Sequence, residues 1–205
     1  MKRQNLFGFY MSNDKHIIER FERMFELVSR EEFLDRKLIG GNIPFYIFDY
    51  KIESEQVVDE QVIALHKRLK AEGIPTQVVD LFDLCCTVID SHFGLQKFIA
   101  LESKFPSEKF LSRLRSTIDI DSRFIPAIQA EFGQGETKIL LIKGVSKVYP
   151  MIRANELLNH LTDALESIST IVFYPGTYKG RQLTLFDRIP DQKYYRAHPI
   201  DELKI

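Results

Sequence analysis

Cysteine, long apolar runs and excess charge are all scarce in this sequence, and each absence excludes a class of protein. Its two cysteines, Cys85 and Cys86, are adjacent and cannot form a disulfide framework, so we expect a reducing compartment and a cytoplasmic location. No apolar run approaches the ~20 residues that a membrane helix needs. The N-terminus lacks the apolar core and small-residue cleavage site of a signal peptide. We therefore predict no membrane association.

Charge is nearly balanced, with 28 basic and 29 acidic side chains and a formal net charge of −1. Overall electrostatics therefore gives no reason to expect tight nucleic-acid binding. Apolar residues, in contrast, are sufficient for a core. They make up 44% of the 205 residues and include 16 Phe, with 8 Tyr adding to the aromatics. This composition is typical of a folded domain.

Short apolar runs alternate with amphipathic segments along the chain. The runs predicted as strands are 43–50, 76–81, 137–142 and 170–174, with short extra strands at 183–186 and 194–197. The turn at Pro175 and Gly176 is predicted to end the fourth strand. Because helices connect these strands, we predict an α/β fold, a three-layer domain in which the four main strands are neighbours in a mostly parallel central sheet.

Helical patterns occupy most of the remaining sequence. Residues 1–12 are predicted to be a flexible lead-in, and residues 13–205 a single domain. Asn13 or Asp14 is the expected cap of the first helix. Residues 82–132 are predicted to be a helical insertion. The apolar stripes predicted for the other helices are Ile17, Phe21, Phe25 and Val28, then Val58, Val62, Leu65 and Leu69, then Leu157, Leu158, Leu161 and Leu165.

Polar residues follow the predicted strands where ligands bind in parallel sheets, at the carboxyl ends. Asp49, Asp80 and Asp83 lie there and could pair as carboxylates, although an acidic residue at a strand end more often caps the next helix. The loop from Gly144 to Lys147 is similar to a phosphate cradle but lacks the full G-x-x-x-x-G-K-[ST] pattern. Nucleotide binding at this loop remains an alternative interpretation.

No complete catalytic or metal-binding set emerges from residue spacing. The five histidines are too scattered to supply three or four converging ligands, and the adjacent cysteines favour a buried apolar role. We predict no enzymatic activity, no cofactor and no metal site.

The C-terminal segment interleaves basic and aromatic residues. The basic members are Lys179, Arg181, Arg188, Lys193 and Arg196, and the aromatic members include Tyr174, Tyr178, Phe186, Tyr194 and Tyr195. Such a segment can stack on bases and neutralise phosphates, or its rings can pack on the sheet while the charges face water. Packing is the favoured interpretation, but this segment is the best nucleic-acid candidate in the chain.

Several phrases in a fixed order resemble one known family. They are residues 44–50 (PFYIFDY), 144–150 (GVSKVYP) with Arg153 and 157–159 (LLN), 173–176 (FYPG) with Tyr178 and Gly180, Leu183 with 185–186 (LF), and 194–197 (YYRA). Together they resemble the BrxB family of bacteriophage exclusion (BREX) systems. The resemblance spans about residues 14–200.

This resemblance implies a role in defence against phage, alongside a methyltransferase, a large ATPase and the alkaline-phosphatase-like protein PglZ. It implies no catalytic activity. We therefore expect an adaptor that binds other BREX proteins, with PglZ as its direct partner; a nucleic-acid-binding accessory protein using the C-terminal segment is an alternative. The family phrases fall on strand-end loops and on the C-terminal segment, where a binding surface is expected. The predicted partner-binding residues are Asp49, Tyr50, Lys147, Tyr149, Arg153, Tyr178, Tyr194, Tyr195 and Arg196.

Overall fold

The computed structural model describes residues 2–37, 44–131, 137–165, 168–190, 195 and 197–203. The described helices are α1 (Lys2–Val28), α2 (Glu31–Leu34), α3 (Glu55–Ala71), α4 (Leu81–Phe93), α5 (Leu95–Ile99), α6 (Ser107–Ile118), α7 (Ile125–Glu131), α8 (Val145–Val148) and α9 (Ala154–Ala164). The described strands are β1 (Phe45–Tyr50), β2 (Thr76–Asp80), β3 (Ile139–Lys143), β4 (Ser169–Lys179), β5 (Gln182–Leu185), β6 (Ile189–Pro190) and β7 (His198–Pro199).

The sheet is built on parallel strands in the order β2-β3-β4-β1-β7. A short antiparallel extension, β5 and β6, is attached to the end of β4. The predicted parallel sheet is thus confirmed. The four main strands are contiguous in it, with β3 and β4 lying between β2 and β1. Strand order is a long-range property that apolar runs do not encode.

Two buried clusters cover the two faces of the sheet and give the predicted three layers. On one face, α1 and α3 pack on Tyr46 and Phe48 of β1 and on Phe173 of β4. On the other face, α4, α7 and α9 pack on Ile47 of β1 and Val172 of β4. The connection from β1 to β2 moves in one direction along the sheet, and the connections from β2 through β3 to β4 move in the opposite direction. Because crossover connections are right-handed, the helix of the first connection and the helices of the later ones lie on opposite faces, as observed.

The predicted helices follow their apolar stripes, with one difference at the N-terminus. All four stripe residues of α3 and all four of the α9 segment are buried, and the predicted insertion is filled by α4 to α7. Helix α1, however, begins at Lys2 and passes through Asn13 and Asp14, so neither residue caps it. No proline precedes these residues, and the single Gly8 costs a helix only about 1 kcal/mol.

Strand β4 continues past the pair that was predicted to end it. Pro175 aligns with Tyr50 at the end of β1, and by then β3 has already ended its pairing at Val172. The missing N–H of Pro175 therefore breaks no ladder on that side. Gly176 to Lys179 then pair with β5. The predicted strand 194–197 lies partly outside the described residues, and the strand found nearby is β7, one residue further on.

Candidate functional site

The carboxyl ends of β1, β2, β3 and β4 lie along one edge of the sheet, which we call the carboxyl edge. Tyr50 opposes Pro175 there, and Asp80 opposes Lys143. This confirms the predicted gathering of the strand-end loops. Three features occupy the edge and its surroundings: a cluster of paired charges, a polar cleft and a groove.

The Lys143 cluster consists of Lys143, Lys147, Asp59 and Asp80. The ammonium of Lys143 is 3.1 Å from Asp59 Oδ1 and 2.8 Å from Asp80 Oδ2. The ammonium of Lys147 is 2.7 Å from Asp59 Oδ2 and 3.8 Å from Asp80 Oδ2. Two positive and two negative charges therefore offset each other. A third link joins the same elements, since the Ser146 hydroxyl donates to the Glu55 carboxylate.

Asp80 performs two structural tasks in this cluster. Besides its lysine contacts, it caps α4 by accepting hydrogen bonds from the N–H groups of Phe82 (2.9 Å) and Asp83 (3.4 Å). Burial alone would raise the pKa of Asp80, but the hydrogen bond and charge of Lys143, together with these two amides, hold that pKa below its ordinary value. Asp80 is therefore a charged helix cap, as acidic residues at strand ends more often are.

Gly144 is required by the backbone and by close packing. It has a φ of +83°, and a Cβ there would lie 2.9 Å from Asp80 Oδ1. The carboxylate of Asp80 thus sits against the loop that the nucleotide interpretation assigned to a phosphate, and Lys147 is already paired with acids. The arrangement favours a structural role for this loop.

The Arg20 cleft is a polar cavity of about 460 Å³ at the carboxyl ends of β1 and β4. Its lining residues are His16, Ile17, Arg20, Asp49, Tyr50, Lys51, Ser54, Gly176, Thr177 and Asp187. Strand β1 is followed by α3 on one face of the sheet, and β3 is followed by α9 on the other face. Strand β4 lies between β1 and β3, so the face on which the connecting helix lies changes here. Open parallel sheets bind ligands at such a point.

Arg20 forms the base of this cleft. Its guanidinium stacks 3.9 Å from the Phe48 ring centroid, donates from Nε to Asp201 at 3.1 Å and donates from Nη2 to Asp49 at 3.3 Å. Asp49 also accepts the N–H of Tyr178 at 2.9 Å. Sequence reasoning missed Arg20. Its spacing of three residues from the buried Ile17 was the available signal, because that spacing places both on one helix face.

The Tyr149 groove is a depression of about 280 Å³, of mixed polar and apolar lining, on the α9 side of β4. It is lined by Tyr149, Arg153, Ala154, Tyr174, Leu185, Ile189 and Pro190. Tyr149 and Ile189 are exposed by 37% and 39%. The Tyr149 ring meets the edge of Phe186 at a centroid distance of 6.0 Å, which fixes its position.

Comparison with known proteins identifies the family. The family model described as "BREX protein BrxB" matches residues 77–200, more than half of the chain. A BREX protein BrxB of Bacillus cereus (strain H3081.97) is 32% identical over 185 residues, covering 89% of this chain and 96% of that relative. The chain belongs to the BrxB family. A second BrxB, from Escherichia coli O9:H4 (strain HS), is 23% identical over 87% of this chain and 88% of its own length.

Membership of the BrxB family implies a component of a BREX anti-phage defence system. No solved structure matches the chain significantly. Among the described residues of this BrxB-family chain, no helix combines the length and apolarity needed to cross a bilayer. The described residues also contain no group of three or more His, Cys, Asp or Glu side chains able to hold a metal ion.

The predicted partner-binding residues of this BrxB chain fall into different environments. Tyr149 and Arg153 line the groove, Asp49 lines the cleft, and Lys147 belongs to the Lys143 cluster. Tyr194 and Arg196 lie outside the described residues.

Three of the predicted partner-binding residues are buried: Tyr50 (5% exposed), Tyr178 (7%) and Tyr195 (4%). The hydroxyl of Tyr178 donates to the Ala197 carbonyl at 2.9 Å. Burial raises the pKa of Tyr178 above its ordinary value. These rings pack mostly inside the domain, and their role in partner binding stays a prediction.

The described basic residues of the C-terminal segment, Lys179, Arg181 and Arg188, are all exposed. Lys143 and Lys147 are neutralised by Asp59 and Asp80, while Lys193 and Arg196 lie outside the described part of the chain. Nucleic-acid binding by the C-terminal segment stays a prediction. Cys85 is 1% exposed, and burial raises its thiol pKa to about 12, consistent with the predicted apolar role.

Proposed function

We propose that this chain is a non-enzymatic adaptor of its BREX system that binds other BREX proteins through the Tyr149 groove, with PglZ as the direct partner. Family membership supports a place beside those proteins. The groove supports the mode of action, because it presents apolar surface that the described chain leaves uncovered.

The observation that carries the proposal is the combination of side chains around this groove. Protein interfaces are enriched in aromatic residues and arginine, and their binding energy concentrates in pockets surrounded by neutral contacts. Tyr149 and Ile189 expose apolar surface on the two sides of the groove, and Arg153 lies between them at the start of α9. Within the described residues, Arg153 has no ion-pair partner and can meet an acidic group of the partner.

The walls of the groove are well supported, which limits the entropy lost on binding. One wall is the antiparallel extension, in which Gly176 to Lys179 pair with β5 and β5 pairs with β6. The other wall begins at the N-terminus of α9, whose apolar stripe is buried on the sheet. A preformed groove of this kind suits a projecting side chain on a folded partner.

The test is co-purification of the chain with each other protein of its BREX system, followed by affinity measurement for any complex found. Tyr149→Ala and Ile189→Asp are expected to weaken the complex with PglZ at least about tenfold each. Ile63→Asp is a matched control, since Ile63 is 46% exposed on α3, on the other face of the sheet.

Failure to form a stable complex with any BREX protein would refute the adaptor role. Equal affinities for wild type, Tyr149→Ala and Ile189→Asp would be consistent with the adaptor role but would exclude the groove as its binding surface. A complex that forms with another BREX protein and not with PglZ would retain the role and correct the partner.

A further inference from the structure

We propose that the Arg20 cleft is a binding site for a phosphorylated sugar, free or as part of a nucleoside monophosphate. The cleft is separate from the Tyr149 groove, and this inference does not depend on the adaptor role. Its volume of about 460 Å³ falls in the range of small-molecule sites. It also lies at the switch in strand connections, where β1 ends beside β4.

Hydrogen-bond donors that the fold leaves unused converge on this cleft. Ser54 is 4% exposed and lines the cavity, yet its hydroxyl has no hydrogen-bond partner among the described residues. It occupies the position before α3 without capping that helix. Because the hydroxyl lines the cleft and is not used by the fold, it can hydrogen-bond a ligand oxygen there.

Arg20 supplies a second unused donor. The residue is 9% exposed, and its Nε and Nη2 atoms are held by Asp201 and Asp49, whereas Nη1 donates no hydrogen bond within the described part of the chain. A guanidinium that is fixed in advance and has both N–H groups of Nη1 free can bind a phosphate oxygen with little loss of side-chain entropy.

Lys51 completes the cationic side of the site. It lies at the start of the short 3-10 helix Ile52–Ser54 that leads into the 17-residue α3, and its ammonium has no ion-pair partner in the residues described. This short helix runs directly into α3, so the positive end of the helix dipole lies near Lys51 and Ser54. This arrangement favours a phosphate at the β1 side of the cleft.

The charges of the lining indicate that the ligand carries more than a phosphate. Arg20 and Lys51 are opposed by Asp49 and Asp187 in the lining and by Asp201, which pairs with Arg20, so a bare anion gains no net attraction. Asp187 lines the cleft and accepts the Thr177 hydroxyl at Oδ1, and its Oδ2 accepts no hydrogen bond among the described residues. Sugar hydroxyls are neutral donors that can bind such a carboxylate while the phosphate binds Lys51 and Ser54.

The experiment is a calorimetric titration of the full chain with four probes: AMP, ribose 5-phosphate, adenosine and inorganic phosphate. We expect AMP and ribose 5-phosphate to bind, and adenosine and phosphate each to bind at least about tenfold more weakly. Lys51→Ala and Ser54→Ala are expected to weaken binding of the two phosphorylated probes by about tenfold or more. Lys67→Ala is the control, because it makes the same change further along α3, away from the cleft.

Each result decides the proposal. Binding of ribose 5-phosphate without AMP identifies a free sugar phosphate, and binding of AMP alone identifies a nucleotide; both support the site. No heat with either phosphorylated probe overturns it, provided that thermal unfolding shows the chain folded. Wild-type affinity in both Lys51→Ala and Ser54→Ala, or equal affinity for phosphate and ribose 5-phosphate, also overturns it.

Discussion

The Arg20 cleft and the Tyr149 groove share strand β4 but leave different groups unsatisfied. The cleft contains donors without partners, on Arg20 and Ser54, whereas the groove contains apolar surface without cover, on Tyr149 and Ile189. The Lys143 cluster lies on the same edge and has its charges offset internally. The comparison shows that residue type alone does not indicate a binding site. The informative property is what the fold has left unpaired or uncovered.

The largest expected effect comes from damaging the strand that the two sites share. A Cβ at Gly176 would lie 2.1 Å from the carbonyl oxygen of Thr184, a backbone atom that cannot move aside. Gly176→Ala is expected to lower the free energy of unfolding by about 3–5 kcal/mol, and to weaken both AMP and PglZ binding. Urea denaturation and the two binding assays measure this.

Gly180→Ala is the matched control in the same hairpin. Gly180 has a φ of +58° but no atom within 4 Å of a new Cβ, so the change is expected to cost only about 1–2 kcal/mol. Equal losses for the two alanine variants would contradict the close-contact explanation.

A second variant separates structural charges from binding charges. Asp80→Asn removes the charge that pairs with Lys143 and weakens the α4 cap, so we expect a loss of about 2–3 kcal/mol at pH 7. Because folding lowers the pKa of Asp80, its stabilisation is present above the unfolded pKa of about 3.9 and disappears as the pH falls through the lower folded value.

Urea denaturation of wild type and Asp80→Asn from pH 7 to pH 3 tests this dependence. The gap between their unfolding free energies should narrow below about pH 4. A constant gap would show that the charge of Asp80 is not the stabilising property. AMP binding at pH 7 should remain unchanged if the Lys143 cluster is only structural.

Arg68, an exposed counterpart of Arg20, should contribute much less than Arg20 to the free energy of unfolding. Arg68 also stacks 3.9 Å from a phenylalanine ring, Phe25, and makes a bidentate pair with Glu22 at 2.7 and 2.9 Å, but its side chain is 41% exposed. Arg68→Ala is expected to cost about 0.5–1 kcal/mol because solvent screens exposed pairs. Thermal or urea unfolding measures the loss, and a value above that range would mean that exposure does not distinguish the two arginines.

The smallest expected effect is that of a substitution in one site on the affinity of the other site. Tyr149→Ala should leave AMP affinity within about twofold of wild type, and Lys51→Ala should leave PglZ affinity within the same range, since distant sites are usually additive. The calorimetric and co-purification assays described above supply both values. Loss of both activities in either single variant would show that the cleft and groove form one site.

Local patterns allowed most elements to be predicted, whereas long-range contacts were not predictable. The stripe from Val58 to Leu69 defined α3 because helical spacing acts over a few residues. The pairing of Lys147 with Asp59 joins residues far apart in sequence, so Lys147 was interpreted as an available cation. The turn signal of Pro175 and Gly176 was misleading because strand β3 had already ended beside them.

The position of the candidate site could be predicted from the sequence, but only some of the residues that line it could. Parallel strands place their carboxyl ends together, so the edge could be anticipated from the apolar runs. Tyr178 was assigned to a partner surface because an aromatic residue in a family phrase gives no information on burial. Arg20 was missed because its partner Asp201 comes near the other end of the chain.

The strand order has a consequence for synthesis on the ribosome. Strand β1 hydrogen-bonds to β4 and β7, and β2 hydrogen-bonds to β3. While only the first 138 residues have emerged, neither β1 nor β2 has met a neighbouring strand. Both strands therefore stay unpaired until β3 and β4 have been made, and we expect the nascent chain to be most prone to aggregation in that interval.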